Sequence, residues 1–253
     1  RGREGWDVRW KVSSAAARGP AAPIGLTGYR GIFDKVAHLP NPRVIGPGVL
    51  SSPLDLPKLF DDPRNKFFLS TCDWHFDMFT PFYGNHLKKW FGGFDISRLE
   101  DSRENPKEFD VMIYDKIYFD RDRNYGRTIA PFLEMLEAQG LTYTVIRYGS
   151  YVYEDYIERL KRCRSMAFFC HSETQGMAYQ ECLSRKVPIF AWDEGVGLDP
   201  KAAEISDVPI PCTSVPYFDD RCGRRFKADD MMEDWPKFWE TRDLFEPRAF
   251  VGD

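Results

Sequence analysis

Residues 171–195, HSETQGMAYQECLSRKVPIFAWDEG, hold two glutamates, Glu173 and Glu181, with seven residues between them and Gly176 inside the interval. Carboxylates accept hydrogen bonds from hydroxyl groups, and the first N–H groups of a helix hold anions. Acids on either side of a helix start would suit a ligand with phosphate in its middle and hydroxyls at both ends. Such a ligand also calls for cations. DVMIYDKIYFDRDR supplies Lys116 and Arg121, and Arg147 stands with Tyr148 and Gly149 at the end of another apolar run.

These residues need elements to position them, and the flanking sequence provides a rhythm. FDVMIYD (109–115), TYTVIRYG (142–149), SMAFFC (165–170) and VPIFAWD (187–193) read as strands. Between them, TIAPFLEMLEAQG (128–140), YEDYIERLKRCR (153–164) and GMAYQECLSRK (176–186) read as helices. Apolar strands alternating with amphipathic helices predict a doubly wound parallel α/β sheet. Ligands of such sheets bind beyond the carboxyl ends of the strands.

Glu173 is then expected in a loop facing a ligand, and Glu181 a turn or more into the following helix. Gly176 would admit a close backbone approach, with N–H groups around Gln175, Gly176 and Met177 on a phosphate. That describes a nucleotide-sugar pocket with hexose at one end and ribose at the other. Two glutamates at this spacing also occur as solvated helix residues. It is the order strand, loop, glycine, helix, Val-Pro strand that favours the pocket.

The N-terminal part is less regular. KVSSAAARGPAAP (11–23) reads as a loop, GYRGIFDKVAHL as a helix and PRVIGPGVL as a short strand. From Asn65, KFFLST is a strand, WHFDMFTPFYG a helix ended by Pro81 and Gly84, and HLKKWFGGFD a strand running into a glycine turn. The charged stretch 95–108 marks a boundary between a partial N-terminal α/β domain, 1–100, and a second domain, 101–253. The aromatic tail MMEDWPKFWETRDLFEPRAFV reads as amphipathic apart from Pro236 and is expected to brace the N-terminal half.

Composition removes other classes. A net charge of −4 without a basic stripe argues against a nucleic-acid partner. No apolar run approaches the roughly 18 residues of a transmembrane segment, and RGREGWDVRWKV lacks the apolar core of a signal peptide. The six cysteines form no CxxC pair and fall in apolar runs, so reduced thiols and a cytoplasmic location are expected. No metal-ligand cluster or Ser-His-Asp order stands out. His75 reads as a packed or capping histidine or as an acceptor or phosphate contact.

The motif stretch resembles the E-x7-E motif of retaining GT-B glycosyltransferases, through Ser172, Glu173, Gly176, Glu181, Val187 and Pro188. The resemblance covers roughly residues 65–200. It implies a GT-B-like fold with a Rossmann-type C-terminal domain, and transfer of a sugar from a nucleotide-diphosphate sugar without metal or other cofactor. It places Glu173 on the transferred sugar, Gln175, Gly176 and Met177 by the diphosphate, and Glu181 on the ribose, with Thr174 also among the substrate-binding residues. Lys116, with Arg121 and Arg147 near the nucleotide, would offset the charge of the leaving diphosphate. About 60 residues precede the first clear strand, fewer than an acceptor half normally has, which implies a reduced N-terminal domain or an N-terminally incomplete chain. The acceptor, whether glycan, lipid or small molecule, is not specified by the sequence. A non-catalytic nucleotide-sugar-binding module and a GT-B-type sugar-nucleotide epimerase are the alternatives.

Overall fold

The computed structural model describes residues 19–93, 96 and 99–253, so part of the 11–23 loop and of the charged boundary lies outside the described residues. The chain divides into two compact units, 1–92 and 93–253.

In the first unit, β1 (Ile24–Leu26), α1 (Ile32–Val36), β2 (Arg43–Ile45), β3 (Asn65–Ser70), α2 (Asp73–Tyr83) and β4 (Leu87–Lys89) follow one another. The strands pair in the order β1-β2-β3-β4, all parallel. Leu26, Ile45, Phe68 and Phe79 are wholly buried at the centre of its core. Pro81 does not end α2. It sits within the last turn, and the helix stops at Tyr83 against Gly84, whose φ of +49° leaves helical space. A proline there forfeits one helical hydrogen bond, and nearby α2 gains one from the Thr80 hydroxyl to the Phe76 carbonyl at 2.8 Å.

The second unit contains β5 (Phe109–Lys116), α3 (Arg121–Arg127), α4 (Ile129–Ala138), β6 (Tyr143–Arg147) and α5 (Tyr153–Lys161). It continues through β7 (Cys163–Cys170), α6 (Met177–Ser184), β8 (Ile189–Trp192), α7 (Ala202–Ile205), β9 (Gly223–Phe226), α8 (Met231–Thr241) and α9 (Pro247–Gly252). Its five strands are parallel, in the order β6-β5-β7-β8-β9.

The strand sequences explain the two layers. Met112, Tyr114, Met166 and Phe168 enter one core with Tyr156, Leu160 and Tyr179 of α5 and α6. Val111, Ile113, Ala167 and Phe169 enter the opposite core with Phe132 of α4 and with Trp235 and Phe238 of α8. Alternate residues thus serve opposite faces, and because both faces are buried the strands read as unbroken apolar runs.

The structure differs from the sequence reading in several places. β9, GRRF, adds a fifth strand where four were expected. Gly223 begins it with a φ of +138°, and a Cβ there would overlap the Ile189 backbone, so only glycine lets β9 approach β8. α3 is a short polar helix before α4. The tail forms α8 straight through Pro236 and packs on the sheet of its own unit.

Candidate functional site

The strand order makes a switch point. From β5 the chain moves outward to β6, then crosses back to place β7 on the other side of β5. The loops after β5 and β7 therefore leave in divergent directions, opening a crevice beyond their carboxyl ends. Lys116 is the last residue of β5, and Glu173 lies three residues beyond the end of β7.

There the two side chains form an ion pair, Lys116 Nζ donating to Glu173 Oε1. Both are largely buried, with 13% and 12% of the side chain exposed. Burial is the largest influence and opposes the ammonium form of Lys116, but the Glu173 carboxylate and weaker neighbours together outweigh it, so the lysine pKa is raised. The ammonium also lies 4.4 Å from the ring centre of Tyr148 and 5.9 Å from that of Tyr118. Tyr148 follows β6 and donates its backbone N–H to the Asp115 carbonyl at 2.9 Å. The cation is thus held by strand-end geometry, one carboxylate and two aromatic faces.

The loop carrying Glu173 is braced from outside the motif. The Glu173 N–H donates to the Thr213 carbonyl at 3.1 Å. Thr213 in turn donates its hydroxyl to Asp193 Oδ2 at 2.6 Å, and Asp193 follows β8. The Gln180 side-chain amide donates to the Gln175 carbonyl, tying the loop back to α6.

Gly176 is the N-cap of α6 with a φ of +67°, and a Cβ there would strike the buried ring of Tyr179. Glycine is needed for both reasons, the left-handed backbone and the close approach. It brings no side-chain cap to the first turn of α6, which begins at Met177. The N–H groups of that turn carry the positive end of the helix dipole.

Glu181 sits in the second turn of α6 and is only 4% exposed. Its Oε1 accepts a hydrogen bond from the Tyr153 hydroxyl at 2.9 Å.

The remaining predicted residues divide. Arg121 is bonded back to the end of β5. Its guanidinium makes two hydrogen bonds to buried Asp115, one of 3.0 Å to Oδ1, and another of 3.1 Å to the Ile117 carbonyl. Arg147 ends β6 and is exposed. His171 is buried beside the site and takes part in hydrogen bonding with the Tyr118 N–H and the Asn124 side chain, and burial lowers its pKa. His75 lies in the core of the first unit, with Ser70 Oγ 2.9 Å from its Nδ1, so it packs.

Sequence reasoning missed Tyr153, Gln180, Asp193 and Thr213. Asp193 had a usable signal, because it follows a strand end just as Glu173 does. Tyr153 had none beyond the clustering of tyrosines in RYGSYVYEDY.

A surface cavity of about 360 Å³ opens at the same sheet edge beside β8 and β9. Its lining combines Asp193, Glu194, Asp230 and Asp234 with Arg225 and Lys227, and it contains neither Lys116 nor Glu173. Among the described residues no group of three or more His, Cys, Asp or Glu side chains is arranged to hold a metal ion, and no helix is long and apolar enough to cross a membrane.

No protein-family model and no curated protein matches the chain. Solved structures do resemble it. The crystal structure of TarM superposes with a TM-score of 0.57 at 11% identity, over 92% of this chain and 52% of that one. Sucrose-phosphate synthase from Thermosynechococcus elongatus gives 0.55 at 11% identity, over 96% of this chain and 71% of that one. The glycosylation-associated Gap123 complex of Streptococcus agalactiae gives 0.54 at 8%, over 97% and 54%. This chain therefore spans about half the length of TarM. The fold is GT-B-like, with a Rossmann-type five-stranded unit and a smaller four-stranded one.

Proposed function

We propose that the chain is a retaining glycosyltransferase whose second unit binds a nucleotide-diphosphate sugar. The observation that carries the proposal is the pairing of Lys116 with Glu173 at the β5/β7 switch point, beside the uncapped glycine start of α6. Support from the comparisons is at the level of fold. A structure of an S. aureus TarM variant, similar with a TM-score of 0.53 at 10% identity, is described in complex with UDP and α-GlcNAc-glycerol.

In this reading the diphosphate lies over the first turn of α6, with the sugar toward Glu173 and the ribose toward Glu181. A bound diphosphate takes over Lys116, releasing one carboxylate oxygen of Glu173 to accept from sugar hydroxyls. The bond from the anomeric carbon to the phosphate oxygen breaks, and the electron pair leaves with the diphosphate. Lys116 offsets that growing charge. An acceptor hydroxyl attacks the same face, and its proton passes to the departing phosphate oxygen, so no protein base is required. Arg121 shares its charge with Asp115 and supports the β5 terminus. The acceptor is a glycan, a lipid or a small molecule.

The test is a thermal-shift screen with UDP-, GDP- and ADP-sugars, followed by product analysis with the stabilising donor. Donor hydrolysis or transfer with the anomeric configuration kept supports the proposal. Binding without turnover points to a sugar-nucleotide-binding module, an altered sugar without acceptor points to an epimerase, and no binding of any donor refutes it.

A further inference from the structure

Tyr153 is the first residue of α5, and its hydroxyl donates to Glu181 Oε1 at 2.9 Å. α5 and α6 are locked together just below this contact. Buried Tyr156, one turn on, donates its hydroxyl to the Ala178 carbonyl at 2.7 Å. Tyr153 thus reaches Glu181 from a fixed helix rather than from a mobile loop. It keeps 39% of its surface exposed while Glu181 keeps 4%. A carboxylate so buried is costly unless hydrogen bonds hold it. The terminal torsion of a glutamate is intrinsically broad, so a donor on one oxygen sets which way the other points.

We infer that Tyr153 is a positioning residue for the nucleoside end of the site: its hydroxyl fixes the Glu181 carboxylate so that it reads the ribose diol. The inference rests on the donor reading above, which puts ribose at Glu181. It adds a role for a residue outside the motif and predicts a specific discrimination, ribose over its dideoxy form. Tyr153 makes its bond through the phenol oxygen alone, so Tyr153→Phe removes the orientation and keeps the ring.

The experiment measures binding of UDP, ADP and GDP, each against its 2′,3′-dideoxy counterpart, by calorimetry on the parent, Tyr153→Phe and Tyr156→Phe. For at least one base the parent prefers the ribonucleotide. Tyr153→Phe reduces that preference about fivefold to tenfold, chiefly by weakening the ribonucleotide and not the dideoxy form. Tyr156→Phe, which removes a core hydrogen bond, lowers the melting temperature and keeps the preference. Unchanged preference in Tyr153→Phe overturns the role of Tyr153 while leaving the donor site standing. Equal loss of ribo and dideoxy forms also overturns it, since that is the mark of general damage. A parent that binds none of the six overturns this inference together with the donor reading.

Discussion

Lys116 and Glu173, 57 positions apart in the chain, are joined by an ion pair at the point where the sheet order reverses. Each is near-buried, so each depends on the other. Replacing Lys116 with Met leaves the Glu173 carboxylate without its cation and is expected to cost up to about 3 kcal/mol. The double variant Lys116→Met/Glu173→Gln removes both charges and recovers most of that stability. Nucleotide-sugar binding stays lost in both, because the diphosphate still lacks its cation. Urea titrations and calorimetry on the parent and the two variants check this, and a double variant that regains binding removes Lys116 from the diphosphate site.

The two glutamates are expected to fail differently. A charge-assisted hydrogen bond to a hydroxyl contributes about 1.5–3 kcal/mol, so losing one costs roughly tenfold or more in affinity. Glu181→Gln weakens nucleoside diphosphate and nucleotide-sugar alike. Glu173→Gln spares the nucleoside diphosphate and impairs sugar binding or transfer. Direct binding of both ligands to both variants decides it, and equal loss of the bare nucleotide in the two would reverse or abolish the assignment.

How much of this was legible follows from where each signal resides. β5, β7 and β8 were visible because burial on both faces makes their sequences continuously apolar, and Lys116, Glu173 and Gly176 followed from their places relative to strand ends. β9 was hidden because an edge strand of four residues can carry Arg224 and Arg225, which mask any apolar pattern. Pro236 and Pro81 suggested breaks that packing and neighbouring hydrogen bonds overrode. The braces on the site, Thr213 to Glu173 and Tyr153 to Glu181, join segments 40 and 28 residues apart. No local pattern encodes such contacts. Asp193 lies between these cases: its position after β8 was readable, whereas its bond to Thr213 was not.

Gly176 is expected to tolerate no side chain. Its left-handed backbone alone costs a non-glycine residue about 1–2 kcal/mol. A methyl group would in addition push Tyr179 from its buried site, where the hydroxyl accepts the Tyr217 N–H at 3.0 Å. Gly176→Ala should therefore destabilise the second unit by about 2 kcal/mol or more. Gly126, inside α3 with open space around its Cβ position, is the control. Gly126→Ala is neutral or stabilising by up to about 1 kcal/mol. Equal melting temperatures for the two variants would contradict the Tyr179 contact.

His75 gives the first unit a pH dependence of known sign. Burial lowers its pKa from 6.5 to about 4, only partly opposed by the Leu50 carbonyl near its Nε2. The unfolded chain therefore binds a proton between these values that the folded unit refuses. The stability that this neutral histidine provides is complete above pH 6.5 and drains away as the pH falls toward 4. Between pH 7 and pH 5 the loss is about 2 kcal/mol. His75→Gln, which keeps polar reach toward Ser70 and does not titrate, should flatten that part of the curve. Urea unfolding at half-unit steps, followed in parent and variant, measures the difference directly. Carboxylates common to both proteins cancel in the comparison, so parallel curves would mean that His75 is charged in the folded unit or is not buried there.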